Sequence, residues 1–268
     1  MALRPLPSRL VSAGPIRSTA RSLRLGAERA RFELWARRLD MRLRRAGGRL
    51  ELDAPHGAHF YELPHVEVLP YGGQAGTLTL RIGREVHLGR DLILEVWAAA
   101  PSVIDLGDDV VFQAGTRLRV WGGSIRIGAR TRIRDYCFLD ATGVLVVGAV
   151  GHIGAQVALH AAERVELGDN VTIGERTSFF DSDHQHDGSD EPVIDQARAI
   201  GPITVGQNTF VGANSLVLRN AHIGPRTIVA GGSIVRAGEY AGGHLYVGSP
   251  LRAVRPLTPG EPAKNWHE

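Results

Sequence analysis

From Val205 to Val235 an aliphatic residue occupies every sixth position: Val205, Val211, Val217, Ile223, Val229 and Val235. An α-helix of period 3.6 drifts off that spacing within two cycles, and an amphipathic strand of period 2 needs apolar residues between the marked ones. The fourth residue after each anchor is small (Thr209, Ser215, Ala221, Thr227 and Ser233), and Gly or Ala directly follows four of the first five. A triangular solenoid satisfies this pattern. Each flat side uses about six residues, one aliphatic side chain points to the axis, and corners take small or positive-φ residues. Stacked coils then bury one continuous apolar column.

The step continues upstream through Ile127, Ile133 and Leu139, through Val147, Ile153 and Leu159, and through Leu167, Ile173 and Phe179. Anchors at positions 106, 127, 147 and 167 recur at 20 or 21 residues, so each coil carries a small extension at one corner. The next corresponding anchor, Ile223, lies 56 residues on, which is two coils plus an excursion over 181–202. The domain boundaries expected are therefore an Arg-rich helical extension and connector over 1–70, a solenoid over 71–256, and a polar tail over 257–268.

Composition fits an elongated domain with little room for rings: 33 glycines in 268 residues, and 6% aromatics. A single cysteine, Cys137, excludes an internal disulfide scaffold and is compatible with a reducing compartment. No run approaches the eighteen or so apolar residues of a membrane span. Charge is uneven, with thirteen arginines against three carboxylates in residues 1–50, whereas the whole chain is only +3. Between Pro15 and Ala46 the residues Ile16, Ala20, Leu23, Ala27, Phe32, Trp35, Leu39 and Leu43 recur at helical steps, and Gly47-Gly48 supplies a stop. This basic amphipathic helix has three readings: a cap on an open solenoid end, a peripheral anchor on anionic lipid through Phe32 and Trp35, or a targeting segment. Nucleic acid is not expected, because no binding motif appears and the arginines are not interleaved with aromatics. The location expected is cytoplasmic, with residues 15–46 the candidate contact to the inner face of the membrane.

The repeats, aliphatic-small-x-x-small-x over Ile82 to Arg255, resemble the hexapeptide-repeat acyltransferases, in particular the sugar O-acetyltransferases. The resemblance implies a left-handed parallel β-helix, here with an N-terminal amphipathic α-helical extension, assembled as a homotrimer with acetyl-coenzyme A as co-substrate and no metal. In that family a coil opening with an aliphatic-Gly-Asp-Asn-Val unit leads, seventeen residues on, to a catalytic histidine. Leu167-Gly168-Asp169-Asn170-Val171 leads to His184 at that distance. His184 is thus the expected general base. Chemistry agrees, since an imidazole with a reference pKa near 6.5 accepts a hydroxyl proton at working pH without already being charged. Asp181, Asp183 or Asp187 is expected to orient it, with His186 in reserve.

Ala230–Val235 resembles the family's Ala-Gly-Ser-aliphatic-Val segment, and Val247–Arg252 its closing Gly-x-Pro-x-Arg/Lys turn. The resemblance therefore assigns Gly212, Ala213, Gly231, Gly232 and Ser233 to the pantetheine groove between subunits. Arg236, Arg252 and Arg255 supply cations for the phosphates. Two departures stand out. Arg236-Ala237 replaces the usual Thr-Lys, and Gly154 falls where the galactoside and maltose enzymes carry an acceptor-binding asparagine. The acceptor, a hydroxyl of a sugar, a glycolipid or a similar molecule, is expected beside His160 and Tyr136, with Asp135 nearby. Two alternatives remain. A zinc hydratase of the gamma-carbonic-anhydrase type would use histidines such as His184, His186, His152 and His160, although His152 and His160 are eight apart instead of five. The other is a β-helix scaffold without catalysis.

Overall fold

The computed structural model describes residues 15–69, 76–97 and 100–260, with side chains from residue 26 onward. The outer parts of the N-terminal extension (1–14) and of the polar tail (261–268), the residues at the expected domain boundary (70–75), and 98–99 lie outside the described residues, as do the side chains of Ile16, Ala20 and Leu23. Among the described residues the solenoid itself is three sheets of nine, ten and eight strands, and within these every strand pairs in parallel with its counterparts one coil away except the last, Arg252–Pro256; a fourth, two-stranded sheet lies outside it. Helix α1, Pro15–Arg45, precedes them.

All six anchors from Val205 to Val235 are buried, as are the upstream anchors from Ile127 to Phe179. Strand register stacks like on like: Ile133 on Ile153, Leu139 on Leu159, Leu159 on Phe179 and Phe179 on Val217. The small residues between anchors close the corners from inside. The Ser215 and Ser233 hydroxyls donate to the Gly212 and Ala230 carbonyls at 2.8 and 2.7 Å. Carbonyls turned inward at the bends thereby find buried partners.

Corner glycines such as Gly206 meet the first of the two expected corner requirements, smallness, and not the second. Gly206 does not adopt positive φ; a Cβ there would lie 2.4 Å from the Pro225 nitrogen of the next coil. The left-handed conformation falls two residues later, on Asn208 (φ 55°), and likewise on Asn170 (56°) and Asn220 (60°). Asparagine tolerates that region. Val150 holds it too, at φ 59°, although a β-branched residue is strained there.

The solenoid begins earlier than residue 71. Arg49–Asp53 pairs with Thr77–Ile82, His59–Phe60 with His87–Leu88, and His65–Leu69 with Ile93–Trp97, so residues 49–69 form a coil and not a connector. Helix α1 lies on this end. Phe32, Trp35, Ala36, Leu39 and Leu43 are buried, and the Phe32, Trp35 and Phe60 rings cluster with centroids 5.6 to 6.0 Å apart. Its stop is a Schellman pair, Gly48 N–H to Leu43 O at 2.8 Å and Gly47 N–H to Arg44 O at 2.9 Å, with Gly47 at φ 80°. The helix therefore acts as a cap. Phe32 and Trp35, the two rings expected at a lipid interface, are instead consumed by the solenoid end. No helix among the described residues is long and apolar enough to cross a membrane.

Two substitutions test the corner account. Val150→Asn should raise stability by about 1 kcal/mol by relieving left-handed strain. Gly206→Ala should lower it by about 1–3 kcal/mol through overpacking against Pro225. Thermal and chemical unfolding of both variants measure the two signs.

Candidate active site

The chain leaves the solenoid after strand Ser178–Phe180 of the eight-stranded sheet. The next residue, Asp181, is fully buried, and its carboxylate accepts the backbone N–H groups of Ala162 (2.7 Å), Glu163 (2.7 Å) and Arg164 (2.8 Å) on the preceding coil. These bonds fix the exit. The excursion opens as a two-stranded antiparallel ladder, Ser182–His184 against Arg198–Ile200, and not as an irregular loop from its root. Arg198 donates to the Ser182 hydroxyl at 2.9 Å across it. Beyond the ladder, Gln196 is buried at the centre of the tip: it accepts from Asp187 N–H at 2.9 Å, donates to the Glu191 carbonyl at 2.7 Å and meets His186 Nδ1 at 3.3 Å.

His184 ends the outgoing strand, exposed, and among the described residues its ring has no hydrogen-bond or ionic partner. None of the three carboxylates expected to orient it does so. Asp181 is spent on the backbone, Asp183 receives Arg219 Nε at 2.9 Å, and Asp187 closes its own turn through Ser189 N–H at 2.9 Å. The Ser189 hydrogen bonds hold the Asp187 carboxyl below the usual carboxylate range. His186 is tethered to Gln196 and turned toward the tip.

A second imidazole, on the eight-stranded sheet that the excursion leaves, is fully oriented. Arg119, Asp140, His160 and Phe180 are successive register partners on its outer face. Asp140, only 2% exposed, takes Arg119 Nε on Oδ1 at 2.8 Å, the other arm of that guanidinium on Oδ2, and His160 Nδ1 on Oδ2 at 2.7 Å. Burial alone would raise the Asp140 carboxyl; hydrogen bonds from Arg119 and His160 outweigh it and hold the carboxyl below its ordinary value. Arg119 is further seated over the Phe138 ring at 4.8 Å. A ring bonded through Nδ1 to a fixed carboxylate presents Nε2, and this one stands 6.0 Å from the Phe180 ring at the root of the excursion. Asp140 and Arg119 were missed in the sequence because they lie 20 and 41 residues before His160. The 20-residue coil repeat was the signal that could have aligned them.

Tyr136 is exposed at a corner, at φ 58°, its ring covering Gly115. Asp135 accepts Ala114 N–H at 3.1 Å and is a corner support. Gly212 stacks on Gly231, and Gly232 (φ 71°) faces open space, so this corner leaves a ligand room. Ser233 is corrected from the groove to the interior, its hydroxyl donating to Ala230 and accepting Gly248 N–H at 3.1 Å. The three arginines do not converge. Arg252 and Arg255 pair with Val247 and Leu245 along the final antiparallel strand, and Arg236 follows a strand of another sheet. A cavity of about 600 Å³ opens on the ten-stranded sheet between Asn170, Asn208, Phe210, Arg226 and Leu257, none of them an expected site residue. Cys137 is buried and its thiol pushed up to about 11, chiefly by burial, which removes it as a nucleophile. His152 lies on the ten-stranded sheet and His160 on the eight-stranded one, so the histidine pairing of a zinc hydratase does not form.

No family model matches the chain. Among curated proteins it is similar to a "Probable acetyltransferase" of Mycobacterium tuberculosis, 27% identical over 134 residues that cover 50% of this chain and 43% of the relative. It is also similar to a bifunctional GlmU protein of Xanthomonas euvesicatoria, 30% identical over 176 residues that cover 59% of this chain and 37% of the relative. The chain thus spans less than half the length of these relatives. Among solved structures it resembles a single-residue mutant of AntD, an N-acyltransferase from Bacillus cereus, in complex with dTDP and coenzyme A. That match has 25% identity and a TM-score of 0.50, covering 57% of this chain and 83% of that one. Fold and repeats define a hexapeptide-repeat β-solenoid. One curated relative is named a probable acetyltransferase and the solved neighbour an N-acyltransferase, as the repeat pattern led one to expect.

The Asp140 pairing has a pH signature. Its depressed native pKa supplies stability that is complete above the unfolded value near 3.9 and is lost as pH falls through the native value. Asp140→Asn should therefore flatten the loss of stability below about pH 4, and Asp140→Ala should cost about 3 kcal/mol by stranding Arg119. Urea unfolding from pH 3 to 7 (roughly the span bracketing the carboxylates) reads both.

Proposed function

We propose that the chain is an acyl-coenzyme A-dependent O-acyltransferase that moves an acetyl group to a hydroxyl of a sugar, glycolipid or similar polar acceptor. The observation that carries this reading is His184, an unpartnered imidazole held outward at the root of the one long excursion of a hexapeptide solenoid. Its Nε2 or Nδ1 takes the acceptor hydroxyl proton while the oxygen attacks the thioester carbonyl carbon. A backbone N–H of the groove stabilises the oxyanion, and collapse expels the coenzyme A thiolate, which recovers the proton from the imidazolium. No covalent acyl-enzyme is involved.

His160, locked by Asp140 and Arg119, binds the acceptor through Nε2 and positions it. Pantetheine runs past Gly212, Ala213, Gly231 and Gly232, and Arg236, Arg252 and Arg255 offer cations to the phosphates, each from a different place on the final coils. The site is completed in a homotrimer. Supporting this, Phe180 at the start of the excursion and Val193, Ile194 and Ile200 within it are exposed apolar side chains, Ile194 at 72%. Exposed apolar residues on one segment suit a surface that another copy covers. The neighbour's complex with dTDP supports adding nucleotide-linked sugars, with hydroxyl and amino acceptors, to the substrates tried.

Thiol release from acetyl-coenzyme A across such a panel tests the reading. His184→Ala should lower the rate by roughly 10²–10⁴-fold with the fold intact. Equal rates in variant and wild type would remove His184 from the mechanism.

A further inference from the structure

At the capped end, far along the solenoid from His184, two imidazoles and two carboxylates meet. His59 and His87 are register partners on adjacent coils of the ten-stranded sheet, their rings stacked with centroids 4.6 Å apart. Their backbones are held by ladder bonds, His59 N–H to Val86 O at 2.8 Å and His87 N–H to Val110 O at 2.9 Å. His59 Nδ1 lies 2.8 Å from Glu28 Oε2 on helix α1, and His59 Nε2 lies 3.2 Å from Glu85 Oε2. One ligand atom each from His59, Glu85 and His87 falls within 4.8 Å of the other two.

Glu28 on Nδ1 leaves Nε2 as the ligand atom of His59, and that atom lies with Glu85 and His87 in a group compact enough to share one cation. Ligand atoms at 2.0–2.2 Å from zinc stand a little over 3 Å from one another, which is the separation of His59 Nε2 and Glu85 Oε2. A carboxylate on the far nitrogen of a liganding histidine is the usual support for such a ligand, and Glu28 holds that position.

We propose that His59, Glu85 and His87 bind a divalent cation of the zinc type, with Glu28 positioning His59, so that the ion clamps the first two coils to helix α1. Two imidazoles and one carboxylate select borderline metals over magnesium or calcium. The ion is structural, because the site is remote from the excursion and its helix partner is the cap.

The test uses the full chain, stripped with chelator and titrated with zinc chloride by calorimetry and by thermal unfolding. One ion per chain and a higher Tm with zinc are expected. His87→Ala and the exposed-site variant Glu85→Gln should each weaken binding at least about tenfold, and Glu28→Gln by roughly 10–100-fold. His184→Ala and His186→Ala should leave zinc binding unchanged. Glu85→Gln keeps the test valid should a histidine variant fail to fold. No heat and no Tm change at about 100 µM zinc would overturn the proposal. So would binding that survives both Glu85→Gln and His87→Ala, or that disappears with His186→Ala.

Discussion

Close contact between corners of successive coils is the constraint on which the rest of the molecule depends. Parallel strands of neighbouring coils hydrogen-bond only if their bends nest, and the bends nest only where no Cβ intervenes. At Gly212 an added Cβ would stand 2.3 Å from the Gly231 nitrogen, and at Gly174 2.3 Å from the Ala213 nitrogen. Because that contact repeats, register is the same from coil to coil, and each outward position on one coil sits over its counterpart on the next. The apolar axis and the outer ladders follow from one rule.

The outer ladders are where chemistry enters. Stacking in register brings Arg119, Asp140 and His160, spaced about one coil apart in sequence, into a bonded row. The same stacking places Phe180 at the end of that row and Asp181 where three backbone N–H groups of the coil below can seize it. An excursion of 22 residues (181–202) would otherwise fray the sheets it interrupts. Asp181 and the short antiparallel ladder confine the disturbance, so the parallel pairing resumes at Ile203 as though no residues had been added. His184 owes its outward position to those two devices.

The fold was legible because its determinant is local and periodic. Hydrophobic anchors every six residues name the core, and every anchor read from the sequence is buried. The start of the solenoid was not legible, since Arg49–Leu69 lacks the small-residue spacing and joins the sheets through strands such as Arg49–Asp53, which reads as polar. Which of the two corner requirements a given glycine meets was not legible, because φ and close approach leave the same mark in a sequence. At the proposed site, spacing from the Gly-Asp-Asn motif pointed to His184, and the excursion was legible through its polarity. The surroundings of His184 were not. Whether Asp181 or Asp183 faces an imidazole depends on which competing donors the fold brings near, and here backbone N–H groups and Arg219 took them. Ser233 was lost to the interior for the same reason: a small polar residue suits a groove and a corner equally well.

The account holds that a coenzyme A thioester binds with its carbonyl beside the His184 ring, in a cleft shared by two copies of the chain. A crystal structure of the chain grown with acetyl-coenzyme A measures this directly. It should show three copies around a threefold axis, pantetheine along the Gly212–Gly231 corner, and the sulfur within reach of a His184 ring. Coenzyme A bound away from every His184, or a chain that remains a monomer and binds none, would contradict it.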